Sequence, residues 1–276
     1  MNYLGKLVNY PEHYDASLLQ AIPRALQRES LGLVEGHLPF FGLDFLNHYE
    51  VSYLLDSGKP VVGILEIAVP ADSPFLVESK SLKLYFNSLN QARFNRQTHR
   101  EAFLALIQKD LNQAYAAEVH LNFQGPEHFA AQSIQTFSGL NLDELNLELP
   151  VDFSYLPQAE YLSLEASGEL VEETLYSHLL KSNCLITGQP DWASIQIAYT
   201  GPKINHESLL RYLISFRRHQ EFHEHCIERL FVDVLRHCRP SILSVYGRYT
   251  RRGGIDINPF RSTQASTVPN LRQVRQ

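Results

Sequence analysis

The chain has 276 residues, enough to bury a full core as one large domain or two modest ones, with 44% apolar and 20% charged residues, ordinary for a globular protein. Its net charge of -6 argues against a general nucleic-acid binder, which needs a basic surface to displace counterions. Three cysteines (Cys184, Cys226, Cys238) are too few and too odd in number for a disulfide framework, so a reducing cytosol is the simplest compartment. Met1 to Tyr14 has no apolar core of signal-peptide length, and no stretch approaches the roughly 18 apolar residues of a membrane span, so no membrane contact is expected.

Residues 1–45 mix prolines, glycines and short apolar groups and read as a lead-in arm. A first module is expected over 46–145. Glu50 to Asp56 alternates, Ser57-Gly-Lys-Pro60 turns, and Val61 to Pro70 is β-branched and apolar, which is a strand pair. Glu78 to Ser88 carries Leu82, Phe86 and Leu89 at helical spacing. Thr98 and Glu101 have the spacing of a capping box ahead of a second helix bearing Phe103, Leu104, Ile107 and Leu111. Ala117 to Phe123 closes the unit as a strand. The polar, Gly- and Pro-punctuated segment 125–167 is expected to link two modules and add edge strands.

A second module is expected over 146–276. Ser182 to Tyr199 is a strand pair turning at Gly188-Gln-Pro190. One helix carries Leu209, Leu213 and Phe216; the next carries Ile227, Leu230, Phe231, Val234 and Leu235 and is stopped by Pro240. Leu243 to Thr250 is a strand, Arg251-Arg-Gly-Gly254 a turn, and Ile255 opens the return strand; Ser262 to Gln276 reads as a polar tail. The expected class is α+β, with antiparallel ββααββ units and helices on one face, present twice. The duplication is visible in single residues. Ser81, Tyr85, Ser88 and Glu101 recur 127 positions later as Ser208, Tyr212, Ser215 and Glu228, and Gly58, Pro60, Ile67 and Ala68 recur 130 positions later as Gly188, Pro190, Ile197 and Ala198. Agreement between copies points to fold; a difference in reactive residues points to function.

At the 130-residue offset, Cys184 stands where the first copy has Leu54, and Asp191 where it has Val61. A short hairpin can bring a thiol and a carboxylate together. A thiol beside a proton-transfer group is the minimum for covalent chemistry on an electrophilic carbon. The plainer readings are a buried small hydrophobe for Cys184 and an ordinary turn carboxylate for Asp191. At the 127-residue offset, His223-Glu224 replaces Arg96-Gln97. His219, His223 and Cys226 invite a metal reading, but a zincin helix has Glu directly after its first His, and here that residue is Gln220; no metal is expected. His223-Glu224 is either a solvated helix start or a histidine in proton traffic beside a carboxylate that accepts two N–H donors from a guanine-like edge. Lys80 and Lys83 of the first copy oppose the helix macrodipole unless an anion is bound there. That helix start and the Arg251-Arg252-Gly253-Gly254 turn are the two phosphate candidates.

Glu78-Ser-Lys-Ser-Leu-Lys-Leu-Tyr85 resembles the signature of the NADPH-dependent 7-cyano-7-deazaguanine reductases, the nitrile reductases of queuosine biosynthesis. Ser182-Asn-Cys-Leu-Ile-Thr-Gly-Gln-Pro-Asp191, Glu221-Phe-His-Glu224 and Tyr249-Thr-Arg-Arg-Gly-Gly-Ile-Asp-Ile-Asn-Pro259 resemble the long subfamily, in which two tunnelling-fold (T-fold) modules are fused. Tyr14-Asp-Ala-Ser-Leu-Leu19 and Ile22-Pro-Arg24 carry the likeness into the arm. The resemblance implies that Cys184 attacks the nitrile carbon to give a thioimide, that Asp191 supplies the proton and that His223 assists. It implies substrate contacts from Glu78, Ser79, Phe222, His223 and Glu224. It also implies two NADPH per turnover, met by Ser79 and Lys80 from one copy and Arg252 and Gly253 from the other, with Lys83 adding charge. A cytoplasmic homodimer that binds a free base and no tRNA follows from the same likeness. Two other readings are weighed beside it: a zinc-dependent cyclohydrolase-like enzyme, whose metal constellation this sequence lacks, and a non-catalytic purine binder, which leaves Cys184 and Asp191 without a use.

Overall fold

Alternating residues in the sequence become one sheet that runs through both halves of the chain. A computed structural model describes Pro11 and residues 13–276, so most of the Met1 to Tyr14 stretch read above lies outside the described residues. In chain order the elements are β1 (Ala21–Pro23), α1 (Ala25–Arg28), β2 (Phe41–Leu55), β3 (Pro60–Pro70), β4 (Phe75–Val77), α2 (Ser79–Ser88), β5 (Arg93–Phe94), α3 (His99–Tyr115), β6 (His120–Gln124), β7 (Leu140–Asn141), β8 (Leu170–Asn183), β9 (Pro190–Pro202), α4 (His206–Ser215), α5 (His223–Cys238), β10 (Ile242–Tyr249) and β11 (Ile255–Ser262). The large sheet has the order β6-β3-β2-β11-β10-β9-β8-β7, with β5 beside β2. β11 and β2 pair antiparallel from Ile255↔His48 to Ser262↔Phe41, and this seam joins the two modules.

The helical spacing predicted for both halves is what buries the helices. Leu82, Phe86, Leu89, Phe103, Ile107 and Leu111 pack in one core, and Leu209, Leu213, Phe216, Ile227, Leu230, Phe231 and Val234 in another. Each fully buried side chain of this size contributes roughly 1.5–3 kcal/mol. Most of the repeated residues do the same work in each copy. Ser81 Oγ accepts from the Gln20 amide at 3.1 Å, and Ser208 Oγ from the Ser163 amide at 3.1 Å. The Tyr85 hydroxyl donates to Asp110 at 2.7 Å, and that of Tyr212 to Asp233 at 2.5 Å. Ser88 and Ser215 each donate to the carbonyl of the preceding repeat tyrosine at 2.6 Å.

The Glu pair departs from this rule. Glu101 is exposed, whereas Glu228 is fully buried, accepting from Arg28 and Arg261. α5 begins 124 positions after α3 (His99 against His223), so the 127-residue spacing matches different turns of the two helices. The capping box at Thr98 is not formed either. Thr98 has φ −121° and ψ 11°, outside the extended cap conformation, and its hydroxyl caps nothing. The first copy closes with one strand, β6, among the described residues, because Pro126 leads the chain into a short 3-10 turn.

The predicted arm and tail are both structural. β2 already begins at Phe41, and Arg24 and Arg28 are buried, Arg28 reaching Glu228 of the second module at 2.6 Å. Phe45 and Leu46 point to opposite faces of β2. Leu46 joins a helix-side core; Phe45 lies on the other face with Phe137, Tyr246 and Phe260, covered by Val268 and Leu271 of the tail. The Gln276 side chain is buried, donating to the Tyr249 carbonyl at 3.0 Å and accepting from Arg248 at 3.0 Å.

Candidate active site

β8 and β9 pair as far as Asn183↔Pro190, and the loop between them begins at Cys184. The loop is closed by Cys184 N–H to the Gln189 carbonyl and Gly188 N–H to the Cys184 carbonyl, each 2.9 Å. Gly188 has φ +68°, a left-handed backbone that spares a side chain its Cβ clash. The strand pleat then turns Asp191 inward, 2% exposed, and Trp192 outward, 40% exposed. α5 starts at His223, whose Nδ1 lies 3.2 Å from the Ile257 carbonyl and whose ring stacks on Tyr249 with centroids 3.8 Å apart and planes 7° apart. His223 Nε2 is 3.2 Å from Asp191 Oδ1. From the β10–β11 turn, Arg252 Nη2 approaches the same oxygen at 2.8 Å, while its Nη1 donates to Gln189 at 2.7 Å. Neither Asp191 oxygen has an aligned hydrogen-bond donor, although both are buried.

These groups line one cleft of about 30 Å³ at the junction of the modules. Leu76, Val77, Ser79 and Lys83 come from the first half and Cys184, Asp191, Phe222, His223, Glu224 and Arg252 from the second. A cleft of this size holds water and little more. Burial opposes ionisation of the Cys184 thiol, but the Thr187 hydroxyl, the Thr187 and Ile186 amides and Arg252 together bring it below its ordinary value. The other two thiols move the opposite way: burial pushes Cys226 up to about 12 and Cys238 up to about 11. Burial, with Asp44 adding to it, raises the Glu224 carboxyl, against Arg24 and His223. Among the described residues no other side chain bonds to this carboxylate, which faces the cleft.

Three of the expected residues lie outside the cleft wall. Glu78 caps its own helix, accepting from the Lys80 and Ser81 amides at 2.9 and 2.7 Å. Lys80 is exposed. Gly253, at φ +59°, lies under the Lys83 stem, where a Cβ would come within 3.0 Å of Lys83 Cδ. Burial and the neighbouring Arg252 depress the Lys83 ammonium. Two cations held side by side at a cleft edge, with Ser79 next to them, fit a cofactor phosphate. Sequence reasoning gave no role to Thr187, Tyr249 or Glu221. All three fall inside quoted motifs, and a hydroxyl three residues after a candidate thiol was a usable signal. Glu221 pairs with Arg229 and His219, each at 2.8 Å, which is how His219 is used. No cluster of three or more His, Cys, Asp or Glu placed to hold a metal ion occurs among the described residues, nor any helix long and apolar enough to cross a membrane.

Sheet, helices and junction cleft define the class: two T-fold modules fused in one chain. Residues 10–123 match the family described as nitrile reductase, 7-cyano-7-deazaguanine-reductase N-term, and residues 190–267 match the family described as QueF-like protein. The chain is 52% identical over 274 residues to the NADPH-dependent 7-cyano-7-deazaguanine reductase of Chromobacterium violaceum, covering 99% of this chain and 96% of that protein. It is 51% identical over 276 residues to that of Legionella pneumophila strain Lens (99% and 94% covered) and 52% identical over 275 residues to that of Ralstonia nicotianae (99% and 97%). The chain belongs to the NADPH-dependent 7-cyano-7-deazaguanine reductase family, oxidoreductases that act on a nitrile. Among solved structures, the apo archaeosine synthase QueF-Like aligns with 35% of this chain and 96% of its own at a TM-score of 0.31 and 19% identity, too slight a likeness to carry an argument.

Proposed function

We propose that this chain reduces the nitrile of 7-cyano-7-deazaguanine to the primary amine of 7-aminomethyl-7-deazaguanine through a covalent thioimide on Cys184, as a cytoplasmic step of queuosine biosynthesis. The observation that carries the mechanism is the contrast among the three thiols. Only Cys184 is held below its ordinary value, and it shares a cleft with a buried carboxylate–imidazole pair. Cys184 sulfur adds to the nitrile carbon, and the Asp191–His223 pair delivers a proton to the nitrogen. One hard reduction is thereby divided into easier steps. NADPH, when bound, supplies the hydride, twice per turnover. Ser79, Lys80, Lys83, Arg252 and Gly253 would hold it.

Glu224 accepts the two N–H donors of the base's guanine-like edge, and Phe222 provides an apolar wall. Glu78 joins the clamp once it gives up the amides at the α2 N-terminus, which are then free for an anion. The cleft is smaller than a bicyclic base, so binding requires side-chain movement, and Arg252, which spans Gln189 and Asp191 beside the thiol, is the obvious group to move. A homodimer and a free base handled without tRNA contact complete the reading; the net charge of -6 supports the second.

The test is the intact mass after incubation with the nitrile in the absence of NADPH. The parent should gain one substrate mass and Cys184→Ala none. Undiminished NADPH oxidation by Cys184→Ala would sink the mechanism.

A further inference from the structure

Beneath the cleft lies a group of charges that the proposed reaction does not use. Arg28 donates to both Glu228 oxygens at 2.9 and 2.6 Å, and Arg261 donates to Glu228 at 2.9 Å and to Asp44 at 2.7 Å. Arg24 donates to Asp44 at 2.5 Å, and its Nη1 is buried without a hydrogen-bond partner, 4.0 Å from Glu228. All five side chains are at most 2% exposed. Three guanidiniums face two carboxylates, and an uncompensated buried charge is costly. Glu224 lies one turn before Glu228 on α5, on the same helix face, near enough to Arg24 to feel its charge but without an ion-pair contact to it. Nearby His225 is kept neutral, its ring pushed down to about 4 by burial, so it adds no charge near neutral pH.

We infer that Arg24, contributed by the N-terminal arm, is a positioning residue that holds the Glu224 carboxylate in its charged, N–H-accepting form for the incoming base. The inference rests on the reading of Glu224 as the group that binds the base edge. An ionised carboxylate accepts two N–H donors at once, whereas a protonated one presents a donor of its own against them. Burial and Asp44 on β2 oppose that ionised form, and Arg24 and His223 favour it. Across the cleft, Lys83 and Arg252 are the facing cations and Asp191 the facing anion.

The charge count makes the test specific. Arg24→Met leaves two guanidiniums against two carboxylates, a balanced set, so the variant should fold, with Glu224 the odd anion. Binding of 7-cyano-7-deazaguanine is measured by calorimetry across pH in a Cys184→Ala background. Arg24→Met should weaken binding near neutral pH, by less than the roughly hundredfold that loss of a contacting buried charge partner brings, and should shift the acid-side loss of binding to higher pH. Arg24→Lys should restore the parent profile. In a Glu224→Gln background Arg24→Met should weaken binding no further, and the double variant should melt closer to the parent than the two single losses predict.

Equal weakening by Arg24→Met at every pH, with additive losses in the double variant, would overturn the inference and make Arg24 merely structural. Undiminished binding by Glu224→Gln alone would instead refute the base-edge reading. Should Arg24→Met fail to fold, the double variant decides: folding supports the charge pairing, and a second failure refutes it.

Discussion

His223 Nε2 lies 3.2 Å from Asp191 Oδ1, while Nδ1 of the same ring sits 3.2 Å from the Ile257 carbonyl. A carbonyl can only accept, so Nδ1 carries its hydrogen. Nε2 is then the ring atom turned to the carboxylate, at ion-pair distance and not in an aligned hydrogen bond. Tyr249 lies flat against one face of the ring and blocks its movement to that side. In the proposed mechanism this carboxylate–imidazole pair, held in the same cleft as Cys184, is the group that protonates the nitrile nitrogen.

Asp191→Asn keeps the shape of the side chain and removes the carboxylate. The expected result is a kcat lower by roughly 10²–10⁴-fold, the usual range for loss of a general acid, with substrate affinity little changed. Stopped-flow single turnovers check it; an unaltered rate of adduct formation and reduction removes Asp191 from the chemistry.

Tyr249 acts through its ring rather than its hydroxyl, which is buried beside Cys226 and Ser182, neither of them a lining residue with a proposed role. Tyr249→Phe should therefore behave like the parent. Tyr249→Leu loses a stacking contact worth about 0.5–1.5 kcal/mol and should lower kcat more than it raises KM, because it loosens His223 without touching the base. Steady-state kinetics on the two variants separate these outcomes.

The three thiols should alkylate unequally. Peptide mapping after brief iodoacetamide treatment near pH 8 should find Cys184 modified first, since the thiolate is the reacting species and burial has pushed Cys226 and Cys238 up to about 12 and 11. Faster labelling of Cys226 or Cys238 contradicts the assignment.

Acid should destabilise the protein through two buried histidines. Burial lowers His48 and His225 from an ordinary 6.5 to about 4. Between those values the unfolded chain binds more protons than the folded one, so stability is fully present above about 6.5 and falls as pH drops toward 4. The loss is on the order of 3 kcal/mol for each. His225→Leu also removes two ring nitrogens that have no partner, so it should raise Tm at pH 7 and flatten the acid slope in thermal melts. An unchanged slope is the contrary result.

Local regularities were legible in the sequence. α2 and α4, the strand pairs around Gly58 and Gly188, and the return strand after Gly254 all follow from periodicity and turn residues separated by a few positions. The Cys184–Asp191 hairpin was readable for the same reason. What escaped depends on distant partners. Arg24 and Arg28 look like surface residues of an arm because their carboxylates lie at Asp44 and, 200 positions beyond Arg28, at Glu228. The tail looks polar, yet the Gln276 side chain bonds to buried main chain and side chains. Glu78 is a local case of another kind: its carboxylate meets the amides of its own helix first, a competition that a motif does not display.

The β2–β11 seam makes the two modules structurally inseparable. Either module made alone would present a bare strand with eight unmatched positions, an edge that invites aggregation. Cutting the chain within 125–167 is a different matter, because that segment crosses no part of the seam. Two fragments co-expressed from such a cut should recombine by strand augmentation and regain NADPH-linked turnover, while each fragment by itself should be insoluble or inactive. The seam thus makes this chain a candidate for a split enzyme whose activity reports that its halves have met.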